Sequence, residues 1–404
     1  MTGENRPLQN PLQALLDLPQ PEKAERGLEH TPREIWQQPE TWKTTYRRCL
    51  DLQGELKDKL KHAGIGSGNT RAPIVYLVGA GTSDYTGRAL APLLRKQWDC
   101  EVWPVPSTTM LTEFEEFHRE GREYFWISIS RSGDSPEGVA LLERALERCP
   151  RMQHLVITCN EKGAMAQLCG RNRDRTLALV LDESVNDRSL AMTSSFTNML
   201  LAGQCVANVD RLTEHGEFVG RLSELGSRFL PLAADTAAAV TRLGCSRAWF
   251  VGSGTLRAVA NESALKVVEL SAGRVAAMSE SALGLRHGPM SSVDGNTIFV
   301  AYLSSDARRR GYELDLLREI DRKRLGRVRA VVTANETEDV SALADYCLPL
   351  NCGPGFADEY RPALDVILGQ LLGLFASMSC GLKPDQPSPN GAITRVVSPI
   401  KLYS

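Results

Sequence analysis

The sequence predicts an α/β fold of two tandem domains, each a five-stranded parallel sheet in a three-layer α/β/α sandwich. Two observations carry this reading. Short, near-continuous apolar runs rich in β-branched residues alternate with helical patterns of about ten to fifteen residues, as expected of strands buried on both faces of a parallel sheet. The pattern also occurs twice. Ile74 to Ser83 closes on Gly79-Ala80-Gly81-Thr82, and 173 positions later Ala248 to Thr255 closes on Gly252-Ser253-Gly254-Thr255. Phe125 to Ser132 is matched at the same offset by Ile298 to Ser305, and Val156 to Glu161 returns at an offset of 175 as Val331 to Glu336. Three matched segments in one order at nearly one spacing indicate a duplicated domain.

The first half has strands expected near 74–79, 101–105, 124–130, 154–159 and 178–182, and the second near 248–252, 274–278, 297–303, 329–333 and 346–350. Helices between them close right-handed crossovers. Ahead of the first half, Thr31-Pro32-Arg33-Glu34 is a capping-box pattern with proline at the first helical position, predicting one helix that carries Trp36 and Trp42. Residues 1–30 read as a loose tail, and Lys383 to Asn390, with its three prolines, as a linker to a short C-terminal tail. The expected divisions are 1–50 (tail and helix), 51–213 (first domain), 214–383 (second domain) and 384–404 (tail).

A chain of 404 residues can bury two or three cores. Its 47 basic and 49 acidic side chains give a net charge of −2, which argues against a surface built to neutralise nucleic-acid phosphates. The polar amino terminus lacks the apolar core of a secretory signal. Val366 to Leu382, the most apolar stretch, falls short of the roughly 20 residues a bilayer crossing needs and contains Gln370, so it reads as a buried helix. Ten scattered cysteines without zinc-site spacing suggest reduced thiols in a cytoplasm, and the six histidines form no helical pair at ligand spacing. No metal or cofactor, no membrane and no nucleic-acid partner is expected.

In open parallel sheets ligands bind beyond the carboxyl ends of the strands. The first such loop, Gly79-Ala80-Gly81-Thr82-Ser83, has two glycines of a dinucleotide fingerprint, but Asp84 stands where the third would be and no ribose-binding acid follows. It reads as a tight strand-to-helix turn or part of another site. The second, Ser130-Arg131-Ser132-Gly133-Asp134-Ser135-Pro136, packs three hydroxyls and a glycine before a helix. Amides at a helix start with added hydroxyl donors suit a phosphate monoester, and a capped helix is the simpler alternative. A third polar loop is Ala191-Met192-Thr193-Ser194-Ser195. In the second half, Glu262, Lys266 and Glu269 lie at i, i+4 and i+7, within about 60° of arc, where solvated ion pairing is the alternative. Arg286-His287-Gly288-Pro289 holds a histidine in a turn.

These segments resemble the sugar isomerase (SIS) domain family, in particular the paired SIS domains of glucosamine-6-phosphate synthase. A closer likeness is to the AgaS group of tagatose-6-phosphate ketose/aldose isomerases, associated with galactosamine-6-phosphate deamination. Asp187-Arg188, Ala191 to Ser195, Glu262 to Val267 and Arg395-Val396-Val397 carry that likeness. The resemblance implies two SIS domains and an enzyme without cofactor. It implies phosphate or substrate binding by Gly81, Thr82, Ser83, Ser130, Arg131, Ser132, Ser135, Thr193 and Ser194. It also implies proton transfer between C1 and C2 by Glu269, with Lys266 beside it, and ring opening by His287, which in the synthase comes from the neighbouring subunit. A homodimer or dimer of dimers with a shared site follows. Where the synthase's tail places a lysine, this tail offers Arg395, which cannot form a Schiff base. The synthase's glutaminase domain is not expected either. The implied reaction converts a hexosamine 6-phosphate to a ketose 6-phosphate plus ammonia. Isomerisation without nitrogen chemistry, or a non-catalytic SIS sugar-phosphate sensor, are the alternatives.

Overall fold

The computed structural model describes residues 9–66 and 72–403. Its first sheet comprises β1 (Ile74–Gly79), β2 (Val102–Pro106), β3 (Tyr124–Ser130), β4 (Gln153–Thr158) and β5 (Thr176–Val180), in the order β2-β1-β3-β4-β5. The second comprises β6 (Arg247–Gly252), β7 (Ala276–Glu280), β8 (Thr297–Tyr302), β9 (Val328–Thr333) and β10 (Tyr346–Pro349), in the equivalent order β7-β6-β8-β9-β10. All pairings are parallel, and every residue of the central strands β3 and β8 is buried. Burial on both faces is why these strands are continuous apolar runs rather than alternating ones. The α/β class and the duplication both hold.

The helices run in chain order. Ahead of the first sheet come α1 (Pro11–Leu16), α2 (Gln20–Arg26), α3 (Thr31–Trp36), α4 (Gln38–Asp51) and α5 (Gln53–His62). Within the first sheet's crossovers lie α6 (Thr82–Trp98), α7 (Ser107–Thr112), α8 (Phe114–Phe117), α9 (Pro136–Arg148) and α10 (Ala164–Arg171). Next are α11 (Ser194–Ala207) and the 30-residue α12 (Leu212–Thr241), then α13 (Thr255–Leu270), α14 (Ala307–Arg322), α15 (Glu338–Ser341) and α16 (Pro362–Ser379). Helix α16 is long and apolar enough to cross a membrane by composition, yet 89% of it is buried against the protein, where it packs on α12 and α13. It is a core helix, as Gln370 suggested; that side chain meets Gln38 Nε2 at 2.8 Å.

The amino-terminal segment departs from expectation. Residues 1–8 lie outside the described residues, but residues 9–30 are not a loose tail. They hold α1 and α2 and bury Leu12, Leu15 and Leu28. Each helix is too short, and too interrupted by Pro11, Pro19 and Pro21, to develop a readable 3.6-residue period. The expected single helix with Trp36 and Trp42 is two helices, α3 and α4. Pro39 near the start of α4 has no N–H to continue the hydrogen-bond ladder. Trp42 is fully buried and donates to Thr197 Oγ1 at 3.0 Å, while Trp36 stays partly exposed.

The capping box does not form either. The Asp385 carboxylate, from the C-terminal segment, accepts from the amides of Glu29 (2.7 Å), His30 (3.1 Å) and Thr31 (2.7 Å) and from Thr31 Oγ1 (2.7 Å). Glu34 turns away and accepts from the amides of Arg188 (2.6 Å) and Ser189 (3.2 Å) and from Ser189 Oγ. Burial, with Asp187 nearby, pushes the Glu34 carboxyl up to about 7. Replacing Asp385 with Ala should strand three amides at the start of α3. Chemical denaturation should then show a loss of about 2 kcal/mol or more; an unchanged midpoint would refute the role.

Candidate active site

A cavity of about 570 Å³ opens at the carboxyl ends of β1 and β3, where parallel sheets bind ligands. Its floor is the Gly79–Ser83 turn and the Ser130–Ser135 loop, its wall includes Glu269 of the second domain, and the tail segment 391–398 crosses it. The β1 turn needs its glycines. Gly81 sits at φ +55°, and a Cβ on Gly79 would come within 2.6 Å of the Ser83 carbonyl carbon. Helix α6 therefore starts directly over the strand end.

The serine loop forms a donor-rich cradle. Ser130 Oγ accepts from Gly133 N at 3.1 Å and Ser132 Oγ accepts from Asp134 N at 3.2 Å. Accepting from the backbone leaves each hydroxyl proton free to donate outward. Ser135 precedes α9 without a side-chain cap, so the first amides of that helix lack an internal acceptor. Asp134 is turned aside, accepting from Ala164 N at 2.8 Å. Hydroxyls, uncapped amides and a helix dipole converge on one place suited to a dianionic phosphate.

Opposite the cradle lies a buried ion cluster. Lys266 Nζ is 2.6 Å from Glu269 Oε2, 3.3 Å from Glu262 Oε1 and 3.1 Å from Thr82 Oγ1, which itself donates to Glu262 Oε1 at 3.2 Å. Lys266 and Glu262 are completely buried, whereas Glu269 keeps 23% of its side chain exposed and lines the cavity. Burial alone would pull the Lys266 ammonium down, but the two carboxylates outweigh it and hold the group above its ordinary value. Burial, reinforced by Glu269 and opposed by Lys266, pushes Glu262 up to about 8. At neutral pH Glu262 then holds its proton beside the Lys266 ammonium, and Glu269 is the acid of the cluster that faces the cavity. Helical spacing alone left solvated ion pairing open; the burial removes that alternative. Glu262 is the member that residue-by-residue resemblance left without a role, although its i, i+4 position marked it.

Several expected site residues lie elsewhere or do other work. Thr193 and Ser194 are completely buried at the start of α11, where the Asp187 carboxylate already accepts from the amides of Thr193 (2.8 Å), Ser194 (3.1 Å) and Ser195 (2.9 Å). That helix start is filled by a protein carboxylate and is closed to a phosphate. Arg131 lines the cavity, but its guanidinium donates to the carbonyls of Leu190 and Arg395. Arg395 donates in turn to Asp187 O (2.7 Å) and Asn186 Oδ1 (2.7 Å), so the two arginines fasten the tail across the cavity. His287 is exposed on the turn after β7 and does not line the cavity of its own chain.

The twin of this site, where the second domain's β6 turn meets helix α6 of the first, lacks its chemistry. The 173-residue offset sets Thr255 against Thr82, Ala89 against Glu262 and Leu93 against Lys266. Thr255 Oγ1 accordingly donates to the Ala89 carbonyl at 2.7 Å, with no acid or ammonium in place. In the loop after β8, the Asp358 carboxylate accepts from Ser305 N (2.8 Å), Ser305 Oγ (2.6 Å) and Ser304 Oγ. The equivalent of the cradle is thus occupied from within.

No family model matches the chain. The D-galactosamine-6-phosphate deaminase AgaS of Escherichia coli is 34% identical to it over 374 residues, covering 92% of this chain and 95% of that protein. AgaS of Shewanella sp. strain ANA-3 is 31% identical over 380 residues, covering 92% and 91%. Among solved structures, tagatose-6-phosphate ketose/aldose isomerase from Escherichia coli aligns with a TM-score of 0.82 at 32% identity, over 90% of this chain and 95% of that one.

The raised Glu262 carboxyl has a consequence for stability. A group whose folded value lies near 8, against 4.5 for the free side chain, holds its proton more tightly in the fold. Its favourable contribution is complete below about pH 4.5 and is lost as pH rises toward 8. Glu262→Gln should therefore gain stability relative to wild type between pH 5 and pH 9, read as melting temperatures. A difference that stays flat over that interval would contradict the assignment.

Proposed function

This chain belongs to the AgaS family of SIS-domain proteins, and we propose that it converts D-galactosamine 6-phosphate to tagatose 6-phosphate and ammonia. The observation that carries the reading is the Glu269 carboxylate, held by a buried ammonium and facing the same cavity as a hydroxyl-and-amide phosphate cradle. A base for carbon acids and a grip on a distant phosphate are the two things an aldose-to-ketose conversion requires. Binding energy at the phosphate end orients the reactive end.

In the proposed sequence, the ring opens to a free aldehyde at C1. Glu269 removes the C2 proton, the electron pair forms the C1–C2 double bond of an enolamine, and the aldehyde oxygen takes a proton from water, which recovers one when the ketiminium is hydrolysed. Glu269 then returns its proton to C1, leaving a ketiminium at C2. Water adds at C2 and ammonia departs, giving the ketose. Lys266 pairs with the carboxylate and orients it; buried and paired on both sides, it acts through Glu269 rather than on the sugar. The phosphate rests on Ser130, Ser132, Ser135, Ser83 and the amides at the starts of α6 and α9.

His287 is exposed and outside its own chain's cavity, so we assign its ring-opening role to a second copy of the chain, with a dimer as the least active unit. An imidazole can both accept and donate the proton that this shuttle moves. The cytoplasm is the fitting compartment, where free thiols stay reduced.

The test is a parallel measurement of ammonia and ketose from a panel of hexosamine 6-phosphates. One ammonia per ketose is expected, and ketose formed from an aldose 6-phosphate with no activity on the amino sugar would identify a plain isomerase. Glu269→Gln should lower kcat by about 10²–10⁴ while sugar-phosphate affinity persists. Wild-type turnover in that variant would remove Glu269 from the mechanism.

A further inference from the structure

Ser107 stands apart among the buried hydroxyls. It opens α7 directly after the edge strand β2, is only 2% exposed, and lines the cavity, yet its Oγ has no hydrogen-bond partner. Among the described residues two other serine hydroxyls, those of Ser223 and Ser377, are buried without partners, but both lie inside the long helices α12 and α16 and neither borders the cavity. An interior hydroxyl left unpaired costs folding free energy comparable to a lost hydrogen bond. At Ser107 that cost is incurred on the wall of the one cavity that joins the phosphate cradle to Glu269.

Its position separates it from the phosphate. The sheet order β2-β1-β3 puts one strand spacing, about 5 Å, between the end of β2 and the turn that carries Ser83, and two, about 10 Å, between it and the serine loop after β3. Helix α7 packs against α9 on the face of the sheet opposite α6, so Ser107 and Glu269 approach the cavity from different sides. Ser83, Ser130, Ser132 and Ser135 already surround the place where a phosphate would rest. Carbon-bound hydroxyls between C6 and C2 are what remains for a lone neutral hydroxyl on the lateral wall, since it can both donate and accept.

We propose that Ser107 is a substrate-contacting, specificity-determining residue that hydrogen-bonds a ring-derived hydroxyl of the hexose chain and not the phosphate. This rests on the sugar-phosphate reading of the cavity. It adds a contact on the sugar itself, at a position to which the family resemblance assigned nothing.

Calorimetric titration of wild type, Ser107→Ala and Ser132→Ala with D-galactosamine 6-phosphate, tagatose 6-phosphate and inorganic phosphate tests it. Ser107→Ala should weaken both sugar phosphates about five- to tenfold and leave inorganic phosphate unchanged, whereas Ser132→Ala should weaken all three. Without ligand, Ser107→Ala should melt no lower than wild type, because it removes an unpaired buried hydroxyl. Unchanged sugar-phosphate affinity, an equal loss for inorganic phosphate, or a lowered melting temperature without ligand would each overturn the proposal. A wild type that binds tagatose 6-phosphate but not the amino sugar would overturn deamination and leave the Ser107 comparison intact on the ketose. A wild type that binds neither sugar phosphate would overturn both.

Discussion

Lys266 is a fully buried ammonium, and the need to neutralise it organises the contact between the two domains. Two of its partners, Glu262 and Glu269, come from its own helix. The third, Thr82, comes from the strand-to-helix turn of the other domain. Removing a charge from water is tolerated only where hydrogen bonds and an opposite charge replace the solvent. Moving α6 away from α13 would strip the cluster of its cross-domain hydroxyl and admit water. The same geometry that keeps Lys266 satisfied turns Glu269 toward the cavity. Domain docking and the placement of the base are therefore one constraint.

A second constraint is how the chain disposes of anion-binding positions. Hydroxyl-rich turns at helix starts recur along the sequence, and most are filled by the chain's own carboxylates. Asp187 serves α11, Asp385 serves α3, and Asp358 serves the loop after β8. The start of α9 has no such carboxylate and faces the cavity. A net charge of −2 fits this economy, because one phosphate held by hydroxyls and backbone dipoles needs no basic surface. Duplication supplied two equivalent frames, and Ala89 and Leu93 show that only one retains the acid, the ammonium and an open cradle.

Much of this is legible in the residues alone. All ten strands lie within two residues of their expected positions, and the inner ones are legible because a strand covered on both faces must be a nearly unbroken apolar run. The serine cradle and the Glu262-Lys266-Glu269 spacing stand out for similar local reasons. What escapes a sequence reading is partner choice across the fold. Thr193-Ser194-Ser195 looks as apt for phosphate as Ser130 to Ser135, and only the fold brings Asp187 onto it. Thr31 and Glu34 have the spacing of a capping box, yet each is claimed by a distant partner, Asp385 and Ser189. Arg131 and Arg395 look like anion binders and instead hold carbonyl oxygens. Ser107 has no local signature at all; its meaning depends on what fails to reach it.

Lys266 acts through Glu269, and Lys266→Met tests that coupling most directly. Methionine retains the apolar stem and removes the ammonium, and Glu262, which holds its proton at neutral pH, adds no buried charge in the variant. In steady-state turnover of D-galactosamine 6-phosphate, kcat should fall by about 10² or more. The dissociation constant of the sugar phosphate should stay within about threefold, since the phosphate is gripped elsewhere. A Lys266→Met enzyme with nearly wild-type kcat would contradict the claim that this buried ion cluster sustains the base.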